Sequence, residues 1–440
     1  MNVNQTQTPL VEPVQRHVSS WRALQHKRLG RSARLFIIIY LSFLLLGGSA
    51  ITATETQQRQ LAMETAGWGF DLLRWEYQAI GHKIGAFFAK PAQGLSPAES
   101  TQQVQAYLAR AEQMSQLEEQ IDKLFLANRH QPTAESNRLQ TELEALRRLQ
   151  YAERGRVEQV IEGQIGRELA GLGLEFVGVP APPVQFTFVE PPKKLVVSRR
   201  DRIEIFYSQM LDAAISLDKI QAIEQAIRRD HNLSAYVTNI GGLGAFPTMV
   251  VDRASLWWIL STVAHEWTHN YLSFFPLGLN YATNPDLTTL NETVAEIVGN
   301  EVGERALRVF YPNEPLPPKR SEQEQLLPTE PPVFDFEIEI RQTRLTVDAL
   351  LALGQVDEAE RYMEARRIYF VENGYPLRAL NQAYFAFHGS YGTSPASTSP
   401  IGPKLERLRE LIPDLKTFLT TVRGMTSEAE LDAALAQWEK

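Results

Sequence analysis

Residues 255–275 read SLWWILSTVAHEWTHNYLSFF, a stretch with neither proline nor glycine. Trp257, Trp258, Ile259, Leu260, Val263 and Trp267 make it apolar on nearly every side. A helix apolar all round is a buried helix, so the fold has to be built around this one. Asp252 or Ser255 can cap its first turn. The same stretch carries His265, Glu266 and His269. Ionisable groups in an interior are costly without partners, and residues four apart share one helix face. His265 and His269 can therefore aim two imidazoles at one ion. Glu266 lies beside them, placed to take a proton from a water that the ion acidifies.

The chain has no cysteine and eight histidines. Disulfides, thiolate catalysis and thiolate metal ligands are thereby excluded, which leaves His, Asp and Glu as ligands. An open catalytic zinc site needs a third protein ligand. Residues 285–303, PDLTTLNETVAEIVGNEVG, form a second helical run in which Glu292 and Glu296 are again four apart. Glu292 is the expected third ligand, and two His with one Glu point to Zn2+. Glu296 is expected to accept the second ring N–H of a ligating histidine, which would set its tautomer and direction. His17, His26, His82, His130 and His231 have no partner pattern and read as incidental.

Residues 35–51, LFIIIYLSFLLLGGSAI, carry no charge. At 1.5 Å per residue they cover roughly 26 Å, enough to span a bilayer core. Arg22, Lys27, Arg28, Arg31 and Arg34 precede them, and Arg59 is the only basic residue in the next twenty. The charge asymmetry assigns residues 1–34 to a cytoplasmic tail, 35–52 to a transmembrane anchor and the rest to the outer side. The alternative is a signal peptide, cleaved near Gly48 and Ala50, that releases a secreted protein.

Residues 56–175 read as two or three amphipathic helices. Tyr107, Ala111, Met114, Leu117, Ile121 and Leu124 recur at three- and four-residue steps, as do Leu139, Leu143, Leu146 and Leu149. Residues 176–310 are expected to hold the catalytic core, with short strands at 184–189 and 194–198, a helix over 201–229, and a glycine-broken β stretch at 234–251. Seven prolines in 311–332 mark a linker over 311–333. Residues 334–440 read as helices at 341–370, 376–387 and 405–423, with a Ser/Pro/Gly loop at 390–403. The fold class is mainly α with a small β-sheet. A net charge of −8 offers no basic field for nucleic acid.

The HEWTH of residues 265–269 and the NETVAE of residues 291–296 resemble the gluzincin metallopeptidases, the thermolysin-like and aminopeptidase N-like enzymes. The likeness runs from Ser255 to Val302. The spacing from His269 to Glu292 is a few residues longer than is usual in that superfamily, and the aminopeptidase GxMEN loop is absent. The resemblance implies a zincin-like catalytic domain and peptide-bond hydrolysis. It implies His265, His269 and Glu292 as ligands, Glu266 as general base and Glu296 behind the ligands. It further implies a substrate-binding strand edge, for which residues 239–249 are the best stretch, since glycine lets another backbone come close. Tyr or His stabilises the oxyanion in such enzymes, which makes Tyr384, His388 and Tyr391 of NQAYFAFHGSY the candidates. Tyr384 in the core with His388 at the surface is the alternative. The functional expectation is a membrane-anchored zinc metallopeptidase acting on peptides or proteins. An amidase, or a membrane-anchored scaffold with a non-catalytic zinc site, are the rivals.

Overall fold

Sequence periodicity carries the first third of the chain. The computed structural model describes residues 53–128, 131–281, 283–316 and 334–440. Four helices come first: α1 (Ala53–Glu64), α2 (Leu72–Ala89), α3 (Pro97–Ala127) and α4 (Ala134–Gly171). Helix α3 starts with Pro97 at its first turn and a capping box in which Ser96 and Glu99 satisfy each other's backbone N–H. Thr133 and Ser136 do the same for α4. The stripe from Tyr107 to Ile121 is buried against α4 as its spacing predicts, with Leu139 and Leu143 opposite, whereas Leu149 is exposed.

The sheets are small. A β-ribbon, β1 (Glu175–Phe176) with β2 (Val179–Pro180), leads into β3 (Phe186–Phe188) and β4 (Lys193–Arg199). Then follow β5 (Tyr207–Leu211), α5 (Leu217–His231), β6 (Leu233–Thr238), β7 (Gly242–Leu243) and β8 (Thr248–Val250). One sheet has the order β5-β4-β6, antiparallel throughout. Successive side chains of a strand point to opposite faces. Leu195 and Val197 accordingly meet Ile220, Ile223 and Ile227 of α5, while Val196 meets Ala383 and Phe387 on the other side. The second sheet runs β3-β8-β7, with β7 at its edge.

The apolar stretch forms α6 (Leu256–Leu272), followed by the single turn α7 (Pro276–Leu279) and the long helix α8 (Pro285–Phe310). Ser255 caps α6, its Oγ accepting the Trp258 N–H at 3.3 Å. Asp252 instead accepts from Tyr107 Oη and Gln150 Nε2. Helices α6 and α8 lie side by side in the main core, with α4 and the last helices around them. Six helices finish the chain: α9 (Phe336–Ala352), α10 (Val356–Glu372), α11 (Gln382–His388), α12 (Ile401–Leu411), α13 (Leu415–Val422) and α14 (Glu428–Trp438).

Four expected helices are corrected, the one over 341–370 being two, α9 and α10, separated at 353–355 where Gly354 has φ +72°. The helix over 201–229 begins only at Leu217, because residues 207–211 pair with β4 as β5. The helix over 376–387 begins only after Asn381, whose Oδ1 accepts the Tyr384 N–H. The helix over 405–423 is two helices, interrupted at Pro413, which has no N–H to donate. The segment 56–175 holds three whole helices, α2, α3 and α4, and the end of α1, which begins before it. The fold is mainly helical with small sheets. The chain divides after Gln60, and Leu61–Lys440 forms one unit that includes the motif helices and the C-terminal helices together. The tail 1–34 and anchor 35–52 lie outside the described residues, as does most of the proline-rich linker. No helix among the described residues is long and apolar enough to cross a membrane.

Candidate metal centre

The geometry follows from the close approach of α6 and α8. A Cβ at Gly299 would lie 2.8 Å from Ser261 O and 2.9 Å from His265 Cβ, and one at Gly303 would lie 2.7 Å from the Ser261 backbone. Glycine at these α8 positions lets the two helices touch through their backbones, which brings Glu292 up to the histidines.

His265 Nε2 and His269 Nε2 are 3.1 Å apart. Glu292 Oε2 is 3.6 Å from the first and 3.5 Å from the second. A tetrahedral ion with bonds of roughly 2.0–2.1 Å places neighbouring ligand atoms about 3.4 Å apart. The three atoms thus stand where three corners of such a tetrahedron would stand. Glu292 Oε2 is buried and has no hydrogen-bond partner, which a native interior rarely leaves so. His269 Nδ1 faces Asn291 Oδ1 at 2.8 Å. The amide oxygen can only accept, so Nδ1 carries a hydrogen and Nε2 is the nitrogen left facing the cluster, where a metal ion would displace its proton. The residues fit a divalent metal with His/Glu preference, and zinc suits that set.

Charge is tightly coupled here. Burial alone would push the His269 pKa down, but the Glu292 carboxylate beside it prevails and raises it to about 9. Burial would raise Glu292, yet the neighbouring histidines hold it well below the usual carboxylate range. Burial pushes Glu266 up.

A cavity of about 730 Å³ opens onto the cluster. Glu266 lines it opposite the edge strand β7, where a Cβ at Gly242 would overlap the Glu266 carboxylate. Trp257, Trp258 and Phe387 form apolar walls, and Lys194 is the one Lys or Arg among the described lining residues. Its ammonium sits 5.5 Å from the Phe387 ring centroid.

Of the candidate oxyanion donors, Tyr391 lines the cavity, its ring 6.4 Å from that of His265. The Glu292 charge and burial raise its pKa well above the ordinary value. Its loop is fastened to α8: the Gly392 N–H donates to Thr293 Oγ1 at 2.9 Å, and Thr393 Oγ1 donates to Glu296 Oε2. Tyr384 and His388 are corrected. Tyr384 is buried in a separate core against Tyr236, His388 packs on Tyr384 at 4.2 Å between ring centroids, and neither lines the cavity. Glu296 lines the cavity and accepts from Thr393, whereas the second nitrogen of His269 faces Asn291.

One site residue had no signal in the sequence. Tyr281, in the loop between α7 and α8, donates its hydroxyl to Glu292 Oε1. Nothing periodic marks a loop tyrosine, and only the packing of that loop reveals it.

No protein-family model matches this chain, nor does any curated protein or solved structure.

Proposed function

We propose that the chain is a membrane-anchored, single-zinc hydrolase of peptide bonds, of the gluzincin kind. One atom carries the reading: Glu292 Oε2, buried, without a hydrogen-bond donor, and equidistant from two imidazole nitrogens. His265, His269 and Glu292 would hold the ion. When bound there, zinc supplies the Lewis acidity that polarises a carbonyl and acidifies a water.

The remaining work belongs to the chain. Glu266 takes the proton of the attacking water and later delivers it to the leaving amine. The free edge of β7 offers backbone groups to an extended peptide, in the manner of strand addition. The glycines there bring that peptide against Glu266. Tyr391 offers an O–H donor to the oxyanion that develops at the scissile carbonyl, while the Tyr281 hydroxyl stays on Glu292 Oε1. The tryptophan walls exclude water and accept apolar side chains.

The test begins with metal content. The full chain should carry about one zinc, lost in His265→Ala. Glu266→Gln should keep the zinc and lose peptide hydrolysis. A Glu266→Gln protein that cleaves a peptide library as fast as the parent would sink the proposal. Zinc with no hydrolysis in the parent would favour the scaffold instead.

A further inference from the structure

Helix α2 is amphipathic the wrong way round for a helix facing water. Two of its charged groups, Glu76 and Lys83, turn towards the protein beside the half-buried Trp75, while Arg74, Gln78 and His82 are exposed. Lys83, with 13% of its side chain exposed, places Nζ 2.8 Å from Glu158 and 2.7 Å from Glu162. Glu76 accepts the Phe246 N–H at 3.1 Å. Its large apolar groups turn away: Leu73 is 79% exposed, Tyr77 84%, Ile80 40% and Ile84 54%. None of these four belongs to any buried apolar cluster. At 3.6 residues per turn they fall within roughly 60° of one another, a single stripe.

Surface helices in water show the reverse pattern, apolar side to the core. A buried Lys–Glu–Glu cluster costs desolvation that apolar residues at those positions would avoid. Most of the large apolar residues of α2 face outward, Trp75 excepted, and a contiguous exposed apolar strip marks a protein or membrane contact.

Two observations select lipid. The uncharged run at 35–51 ends only twenty residues before Leu72, so a chain held by that run keeps α2 at high effective concentration near the bilayer. The exposed charges on α2 and its two caps are Asp71, Arg74 and Lys90, basic by one, in a chain of net charge −8. A basic excess beside an apolar stripe suits anionic headgroups.

We propose that α2 lies in the bilayer interface, its Leu73–Tyr77–Ile80–Ile84 stripe sunk among the acyl chains, as a second contact beside the anchor. The inference rests on the anchor reading of residues 35–51.

The chain has no cysteine, so a single nitroxide label is unambiguous. The full chain, as Tyr77→Cys, Ile84→Cys and Leu353→Cys, is reconstituted in phosphatidylcholine–phosphatidylglycerol vesicles. Leu353, 73% exposed, is the water reference. Labels at 77 and 84 should be reached by oxygen and shielded from a water-soluble nickel chelate, with an oxygen-to-nickel ratio severalfold above that at 353. Labels at 77 and 84 as open to nickel as at 353 overturn the inference while the anchor stands. Labels shielded from both reagents mean that protein, a second copy or a partner, covers the stripe, and this too overturns it. A chain that does not float with the vesicles overturns the inference and the anchor together.

Discussion

Glu292 divides its two oxygens between two tasks. Oε1 takes the Tyr281 hydroxyl, and Oε2 is left to the histidine side. Tyr281 therefore fixes which oxygen faces the cluster. Removing such an outer hydrogen bond typically costs 10–100-fold in metal affinity. Tyr281→Phe should accordingly hold zinc about tenfold less tightly in competition with a chelator, while the thermal midpoint of the chelated protein barely moves. That His265, His269 and Glu292 come together was legible because each lies on a regular helix, where spacing fixes the direction of the side chain. Tyr281 was not, because its direction depends on a loop. Tyr384 and His388 were misjudged for a related reason. Helical spacing shows that they share a face, but not whether that face meets the cavity or the neighbouring core.

At the scale of elements, the site depends on how near α6 and α8 can come. Gly303 stands where any side chain would meet Ser261. Gly303→Ala should destabilise the protein by about 1–3 kcal/mol, the range for overpacking, read as a fall in the midpoint of urea unfolding. Because the same displacement moves α8 against α6, bound zinc should also weaken. Long, strongly periodic helices such as α3, α4, α6 and α8 were legible, since their patterns repeat over many turns. Strand β5 was not. Residues 201–216 could have continued a helix, and it was the open edge of β4 that recruited residues 207–211 by backbone pairing. Local propensity cannot report a partner that lies elsewhere in the chain.

Across the whole molecule, the β5-β4-β6 sheet is sandwiched between α5 and α11, and His388 at the end of α11 is half-buried against Tyr236, Tyr384 and Phe387. Burial lowers the His388 pKa from 6.5 to about 4. A lowered folded pKa means that the unfolded chain binds the proton more readily. His388 thus contributes stability that is complete above about pH 6.5 and is lost as pH falls through about 4. In His388→Leu, the loss of thermal midpoint across that window should be shallower than in the parent. An unchanged slope would show that His388 is not buried as a neutral ring. What the sequence determined by itself was the helix that carries His265 and His269, its burial and the acidic helix that answers it. Each is a short-range pattern, in which spacing along a regular backbone sets direction. Tertiary structure alone decided which oxygen of Glu292 faces the histidines, that a glycine strand edge closes on Glu266, that Tyr391 rather than Tyr384 or His388 reaches the cavity, and that α2 shows its apolar side outward. These depend on contacts between residues far apart in the chain, where no local period carries the information.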